Sequence, residues 1–351
     1  MKSVLLNRPK AVAKDDESMT PWHFGDPLRE QRKLVTDGAL VDRSDRAIIK
    51  ISGPDRLSWL HTLTSQHLEN LGDDQGTQLL FLSPNGHIEY HVNVFNSGEQ
   101  GAVWFDTELE TAGELCDFLS KMKFFSDVTI DDVTQDWALL TYTGDATLAQ
   151  PEVLEIPGPK FSQGELPKQP SSLYYGVTGA DGGFSRRTDA LGVATVDRIV
   201  PRQWVAAAVD ELPVSELAGT WAYDVVRAHA KTPQKGVDTD HKTIPHEIPA
   251  WLAAAIHLDK GCYRGQETVA RVHNLGKPPR QLVKLQLDGS TEHAPEPGTE
   301  IVHNGKTVGR IGTAGRHYEE GMIALALLRR NVAERPDAEL EVDGSTAVVD
   351  R

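Results

Sequence analysis

Apolar and polar positions along the chain set the first boundaries. In RAIIKISGPDRLSWLHTLTSQHLENL (46–71), Ile48, Ile49 and Ile51 predict a strand, Gly53 and Pro54 end it, and Leu57, Leu60 and Leu63 recur at helical spacing. QLLFLSPNGHIEYHVNVF (78–95) reads as a hairpin turned at Pro84-Asn85-Gly86. Its second arm alternates, which puts Ile88, Tyr90, Val92 and Val94 on one face and His87, Glu89, His91 and Asn93 on the other. The polar face is expected to be solvated or to wall a polar channel; no third ligand group recurs at a metal-binding spacing, so no metal is placed there. In TELETAGELCDFLSKMKFF (107–125), Leu109, Ala112, Cys116, Leu119 and Met122 form one helical stripe, which makes Cys116 a small core residue.

A second unit opens at DWALLTYTGDATLAQ (136–150). Its strand, Gly144-Asp145 and expected helix echo the strand, Gly53-Pro54-Asp55 and helix before it, the pattern of a duplicated α/β unit. PEVLEIPGPKFSQGELPKQPSS (151–172) reads as an irregular connection. ELAGTWAYDVVRAHAKTP (216–233) returns to helix, with Trp221, Val225 and Ala228 inward and a stop at Pro233. Beyond Pro278-Pro279 the runs become short and alternating, and Asn304-Gly305 is a strong hairpin turn, so a small all-β barrel or sandwich is expected from about residue 277 onward.

At 351 residues the chain is long enough for two or three domains. Its two cysteines form neither a disulfide framework nor a CxxC pair, which fits a reducing compartment. The net charge of −15 disfavours stable nucleic-acid binding. No apolar run reaches membrane-span length, and the VLL near the start is too brief for a signal peptide. A cytoplasmic protein is expected, with an N-terminal extension (1–38) that is loosely ordered in part, through about Thr20.

LDKGCYRGQETVAR (258–271) departs from this background. Cys262 lies between Lys260 and Arg264, with Gly261 and Gly265 beside it and no apolar stripe around it. Nearby cations favour thiolate, and the glycines let the backbone turn sharply. From 259 to 284, Lys260, Arg264, Arg271, Lys277, Arg280 and Lys284 face only Asp259 and Glu267. The residues alone define an anion-friendly loop with a candidate reactive thiol. A nucleophilic cysteine would want a histidine base, and His246, His257 and His273 lie near it in sequence. The plain alternative is a small cysteine on a solvated surface.

The segment KGCYRGQE resembles the signature K-G-C-Y-x-G-Q-E of the YgfZ family of folate-binding proteins. The stretch VRAHAKTPQKGVDTDHKTIPHE, ending in Pro245-His246-Glu247, and VGRIGTAGRHYEEGMIALALLRR resemble the family's preceding segment and its barrel, so the likeness covers roughly 40 to 335. It implies an α+β fold like that of the glycine cleavage T-protein, an aminomethyltransferase: two interlocked α/β subdomains at 39–277 and a C-terminal β-barrel at 278–351. It further implies tetrahydrofolate or a derivative as cofactor, and iron–sulfur proteins or their assembly machinery as partners. Cys262 and Lys260 become the expected chemical groups. Glu89, Tyr90, Arg227, Tyr263, Gln266, Glu267 and Arg271 become the expected folate contacts. T-proteins carry an Asp-Asp pair where Glu89-Tyr90 stands here, so glycine-cleavage activity is not expected. A cluster usually takes four thiolates, and two cysteines cannot hold one alone. Three readings follow: an accessory factor for iron–sulfur assembly or repair, a folate-dependent one-carbon transferase using Glu89, and an adaptor for RNA-modifying enzymes.

Overall fold

The computed structural model describes residues 1–144, 172–188, 190–211, 216–290, 292–335 and 337–350. The helix expected after Gly144-Asp145 and nearly all of the 151–172 connection lie outside the described residues. Eleven described strands share one sheet: β1 (Leu40–Asp42), β2 (Arg46–Ser52), β3 (Gln75–Leu82), β4 (Ile88–Ser97), β5 (Ala102–Glu108), β6 (Thr129–Asp132), β7 (Trp137–Thr143), β8 (Tyr174–Thr178), β9 (Phe184–Thr188), β10 (Thr195–Pro201) and β11 (Leu217–Ala218). Their order is β11-β1-β7-β10-β9-β8-β3-β4-β5-β2-β6. The meander β3-β4-β5 with β2 outside it recurs as β8-β9-β10 with β7 outside it, and the two halves join antiparallel at β3 and β8. The echo seen in the sequence is therefore a repeat of strand order.

Among the described residues the helices before the barrel are α1 (Pro27–Val35), α2 (Arg56–Leu63), α3 (Leu109–Lys121), α4 (Val205–Glu211), α5 (Thr220–His229), α6 (Pro249–Ala254) and α7 (Gln266–Leu275). One core joins Ile49, Ile51, Leu79, Phe81, Val92 and Phe105 to Leu115 and Leu119 of α3, with Cys116 half-buried against it. Burial pushes the Cys116 thiol up to about 11. From Arg280 the chain forms a closed six-stranded barrel: β12 (Arg280–Leu287), β13 (Glu300–His303), β14 (Lys306–His317), β15 (Gly321–Arg329), β16 (Leu340–Val342) and β17 (Ser345–Asp350). Asn304 and Gly305, at φ 51° and 72°, make the two-residue turn between β13 and β14, the left-handed pair such a hairpin needs.

Three expectations are corrected. The first 38 residues are packed: Leu5 is buried against Leu140 and Val200, Glu30 accepts from the Gly219 N–H, and Gln31 bonds the barrel backbone at Arg316 and Tyr318. A polar-looking segment thus spends its few apolar and acidic groups on the body of the protein. Trp221 is only half-buried, stacked on Trp22 at 4.6 Å, while Val225 and Ala228 are fully buried as expected. In β4 the alternation breaks at Glu89, because Tyr90 pairs with Phe81 but Ile88 pairs with Leu82. This bulge sends Ile88 into a different core, with Leu80, Tyr263 and Leu282, from the one that holds Val92 and Val94.

The two halves meet over a buried charge network. Arg186 of β9 donates to Asp106 of β5 and, at 3.0 Å, to Asp197 of β10. Arg46 of β2 reaches Asp106 at 2.9 Å and Glu108 at 2.9 Å. Burial alone would raise the Asp106 carboxyl, yet Arg186 and Arg46 hold it well below the usual carboxylate range. Asp106→Ala removes a shared partner of two buried arginines and is expected to lower the unfolding free energy by roughly 3–5 kcal/mol. Arg8→Ala, which breaks the exposed pair with Asp210, should cost less than about 1 kcal/mol. Denaturant unfolding of the two variants checks the contrast.

Candidate functional site

Two features face different ways. Between the halves lies a polar cavity of about 210 Å³. His91 and Asn93 of β4, Gln78 of β3, Asp106 and Glu108 of β5, and Asp197 of β10 wall it, and Trp251 of α6, Tyr223 and Arg227 of α5 close it. His91 stacks on Trp251 at 4.5 Å and bonds Gln78 Oε1 through Nε2 at 3.0 Å; Gln78 Nε2 in turn donates to the Tyr174 hydroxyl at 3.0 Å. Burial pulls the His91 pKa down to about 4, so the ring is neutral and its proton sits on Nε2. Asn93 donates to Asp106 at 3.1 Å. Arg46 and Arg186 are both paired, against the three carboxylates Asp106, Glu108 and Asp197, so this network offers directed hydrogen bonds and no unpaired cation.

Arg227 is neither on the surface nor free. It bonds Asp238, Asp224, Gln234, Thr232 O and Thr313 Oγ1 of the barrel, and so ties α5, the following loop and β14 together at the cavity's edge. Its role in the cavity is that of a wall element with every donor spent.

The cysteine loop lies outside this cavity. Lys260 and Tyr263 point inward and are buried, while Gly261 and Cys262 are exposed. The Lys260 ammonium donates to the carbonyls of His61, Thr64 and Gln66, where α2 ends and its last carbonyls lack helical partners. Burial pulls the Lys260 pKa down, while the three carbonyls favour the charged form. Tyr263 lies beneath that ammonium, 5.1 Å from ring centroid to Nζ, and burial pushes its phenol up. Gln266 Nε2 donates to Lys260 O at 3.2 Å. Gly265, at φ +83°, caps α7 against the β3–β4 turn; a Cβ there would lie 2.6 Å from Ser83 O. Arg264 pairs with Glu89 at 3.1 Å.

The two cations that flank Cys262 in sequence are therefore committed elsewhere, Lys260 to carbonyls and Arg264 to Glu89. The basic run around them is mostly internal too: Arg280 pairs with Asp240 and Glu247, and Lys284 with Glu320 and Asp350, which leaves Arg271 and Lys277 as the exposed members. Of the expected folate contacts, only Arg227 lines the cavity. Glu89, Tyr90, Tyr263 and Gln266 gather around the loop and hairpin, and Glu267 and Arg271 are exposed on α7. The cavity groups that sequence reasoning missed as site residues, Gln78, Asp106, Asp197 and Trp251, come from four separate elements. Only His91 and Asn93 carried a signal, the polar face of β4.

His61, His67 and Glu69 bring ligand atoms within 4.8 Å of one another beneath the loop. His61 Nδ1 accepts from the Leu68 N–H at 3.2 Å, so its proton sits on Nε2, the nitrogen an ion would need. The Lys260 charge nearby adds repulsion. The cluster supports the loop; it is not arranged as an ion cage.

The chain has the fold of the glycine cleavage T-protein class. It superposes on the crystal structure of glycine cleavage system aminomethyltransferase T from Bartonella henselae with a TM-score of 0.79, covering 98% of this chain and 94% of that one at 18% identity. Residues 280–351 match the CAF17 C-terminal beta-barrel domain. A tRNA-modifying protein YgfZ from Klebsiella pneumoniae is 27% identical, with 92% of this chain and 93% of the relative covered. A putative chloroplastic transferase of Arabidopsis thaliana is 24% identical over 84% of this chain, which spans 66% of that relative's length. An aminomethyltransferase from Synechococcus is 25% identical over 88% of this chain and 83% of its own. Similarity to proteins named tRNA-modifying protein YgfZ and to aminomethyltransferases therefore runs over most of the chain. No helix among the described residues is long and apolar enough to cross a membrane.

The buried histidines give a pH signature. An unfolded imidazole takes up a proton near 6.5, whereas burial holds His61, His91 and His246 back to about 4. Between those values the unfolded chain binds more protons, so stability falls as pH falls. The melting temperature is expected to drop from pH 7 to pH 5, and His91→Gln should flatten part of that drop in thermal unfolding at both pH values.

Proposed function

We propose that this protein is a folate-binding accessory factor for the assembly or repair of iron–sulfur clusters, with Cys262 as the group it presents to its partners. The observation that carries this reading is the exposed thiol held between two buried anchors on the outside of a T-protein-type cavity. The cavity suits the head of a folate. Trp251 and His91 provide aromatic surface, Asn93, Gln78 and Asp106 provide polar partners, and a wall whose cations are already paired accepts a flat, uncharged ring. At about 210 Å³ it is smaller than the roughly 300–1,000 Å³ of pockets that enclose a whole drug-sized ligand, so the tail of the molecule extends outside. Bound folate would supply a one-carbon carrier; this chain's residues would orient its ring and exclude water.

The one-carbon transferase reading is weaker. Glu89, its acid–base group, pairs with Arg264 and is absent from the cavity wall. The relatives named tRNA-modifying protein favour a second reading, an adaptor for RNA-modifying enzymes. Direct RNA gripping fits poorly with a net charge of −15 and with four of the six cations from 260 to 284 committed internally.

The test is rescue of an iron–sulfur enzyme in cells lacking this protein. The native chain should restore its activity and Cys262→Ala, folded and equally abundant, should restore about a tenth of that or less. Equal rescue by the alanine variant would remove the thiol from the function.

A further inference from the structure

We infer that Lys260 is a positioning residue for the thiol: it fixes the Cys262 loop to the end of α2 and does not act on the sulfur. This rests on the proposed role of Cys262. An ammonium has three N–H donors and no acceptor. Here all three are accounted for by the carbonyls of His61, Thr64 and Gln66, the last two at 2.5 and 3.0 Å. These carbonyls belong to the C-terminal end of a helix and the turn after it, where a cation is favoured by the backbone dipoles. The side chain thus completes α2 from a distant part of the chain.

The consequence for the loop is geometric. Lys260 and Tyr263 are both buried, three positions apart, and Gly261 and Cys262 between them are forced outward. The bond from Gln266 to Lys260 O closes the loop on itself, and Gly265 seats its far end on the hairpin turn. A loop pinned at both ends presents the thiol in one place. Cys262 makes no hydrogen bond to any described residue, so its orientation comes from these anchors.

Lys260→Met keeps the apolar stem and removes the donors; Lys260→Arg keeps donors at the same place. Both are made in the full chain, with folding confirmed by melting. Trypsin cleavage after Arg264 reports loop opening, and iodoacetamide modification of Cys262 reports the thiol itself. For K260M, cleavage should rise about tenfold or more because the anchored loop opens more often, while alkylation at pH 7 stays within about twofold. K260R should return cleavage toward the native rate, and iron–sulfur rescue should follow cleavage across the series.

Unchanged cleavage in K260M would overturn the inference. So would a fall of about fivefold or more in alkylation, because that is the mark of a cation acting on the thiolate. Should K260M fail to fold, Gln266→Ala, which removes the second tie and leaves the ammonium in place, must raise cleavage after Arg264; no rise refutes the anchoring. If Cys262→Ala rescues fully, the proposed function fails, but cleavage and alkylation still decide what Lys260 does.

Discussion

Arg186 is the contact on which the architecture turns. It rises from the second half of the sheet and is shared between Asp197 of its own half and Asp106 of the other. A buried guanidinium without partners would cost several kcal/mol, so its two carboxylates must stay ionised and in place, and the halves must stay together. Arg46 completes the arrangement from β2 through Asp106 and Glu108. The result is a wall of paired charges, and between the halves such a wall leaves a polar cavity instead of a dry core. The barrel is fastened to the same structure by Arg227, through Asp238 and Thr313.

The cavity and the signature loop meet the same hairpin. The middle of β4 turns His91 and Asn93 into the cavity, while the β3–β4 turn at its start receives Gly265 of the signature loop. The bulge at Glu89 separates them: it moves the glutamate out of line with His91 and leaves it to Arg264. A single extra residue therefore divides the polar face predicted from alternation into a cavity wall and a loop support. It also keeps Glu89 out of the cavity wall.

Much of the fold was legible because it is written in local periodicity. The first strand and helix, the hairpin turn, the Cys116 helix and the Asn304-Gly305 turn all follow from spacing, and the KGCYRGQE resemblance pointed to the fold now seen in the T-protein match. The site was less legible because its members are distant in sequence. Asp106, Arg186 and Asp197 meet only through strand order, and none belongs to a motif. The surroundings of Lys260 were hidden for the same reason: its sequence neighbours are Gly261 and Cys262, whereas its ammonium meets carbonyls near residues 61–66. Charge counting failed likewise, because a basic run says nothing of the carboxylates that Arg280 and Lys284 find elsewhere.

The central claim is that ligand binding and thiol presentation are separate properties of this chain. Calorimetric titration with tetrahydrofolate tests it most directly, using the native protein, Cys262→Ala and Asn93→Leu, each with folding checked. The account predicts equal affinity for the native and alanine proteins and a loss of about tenfold or more for Asn93→Leu, roughly 1.4 kcal/mol. No binding by the native protein, or a loss in Cys262→Ala as large as that in Asn93→Leu, would contradict it.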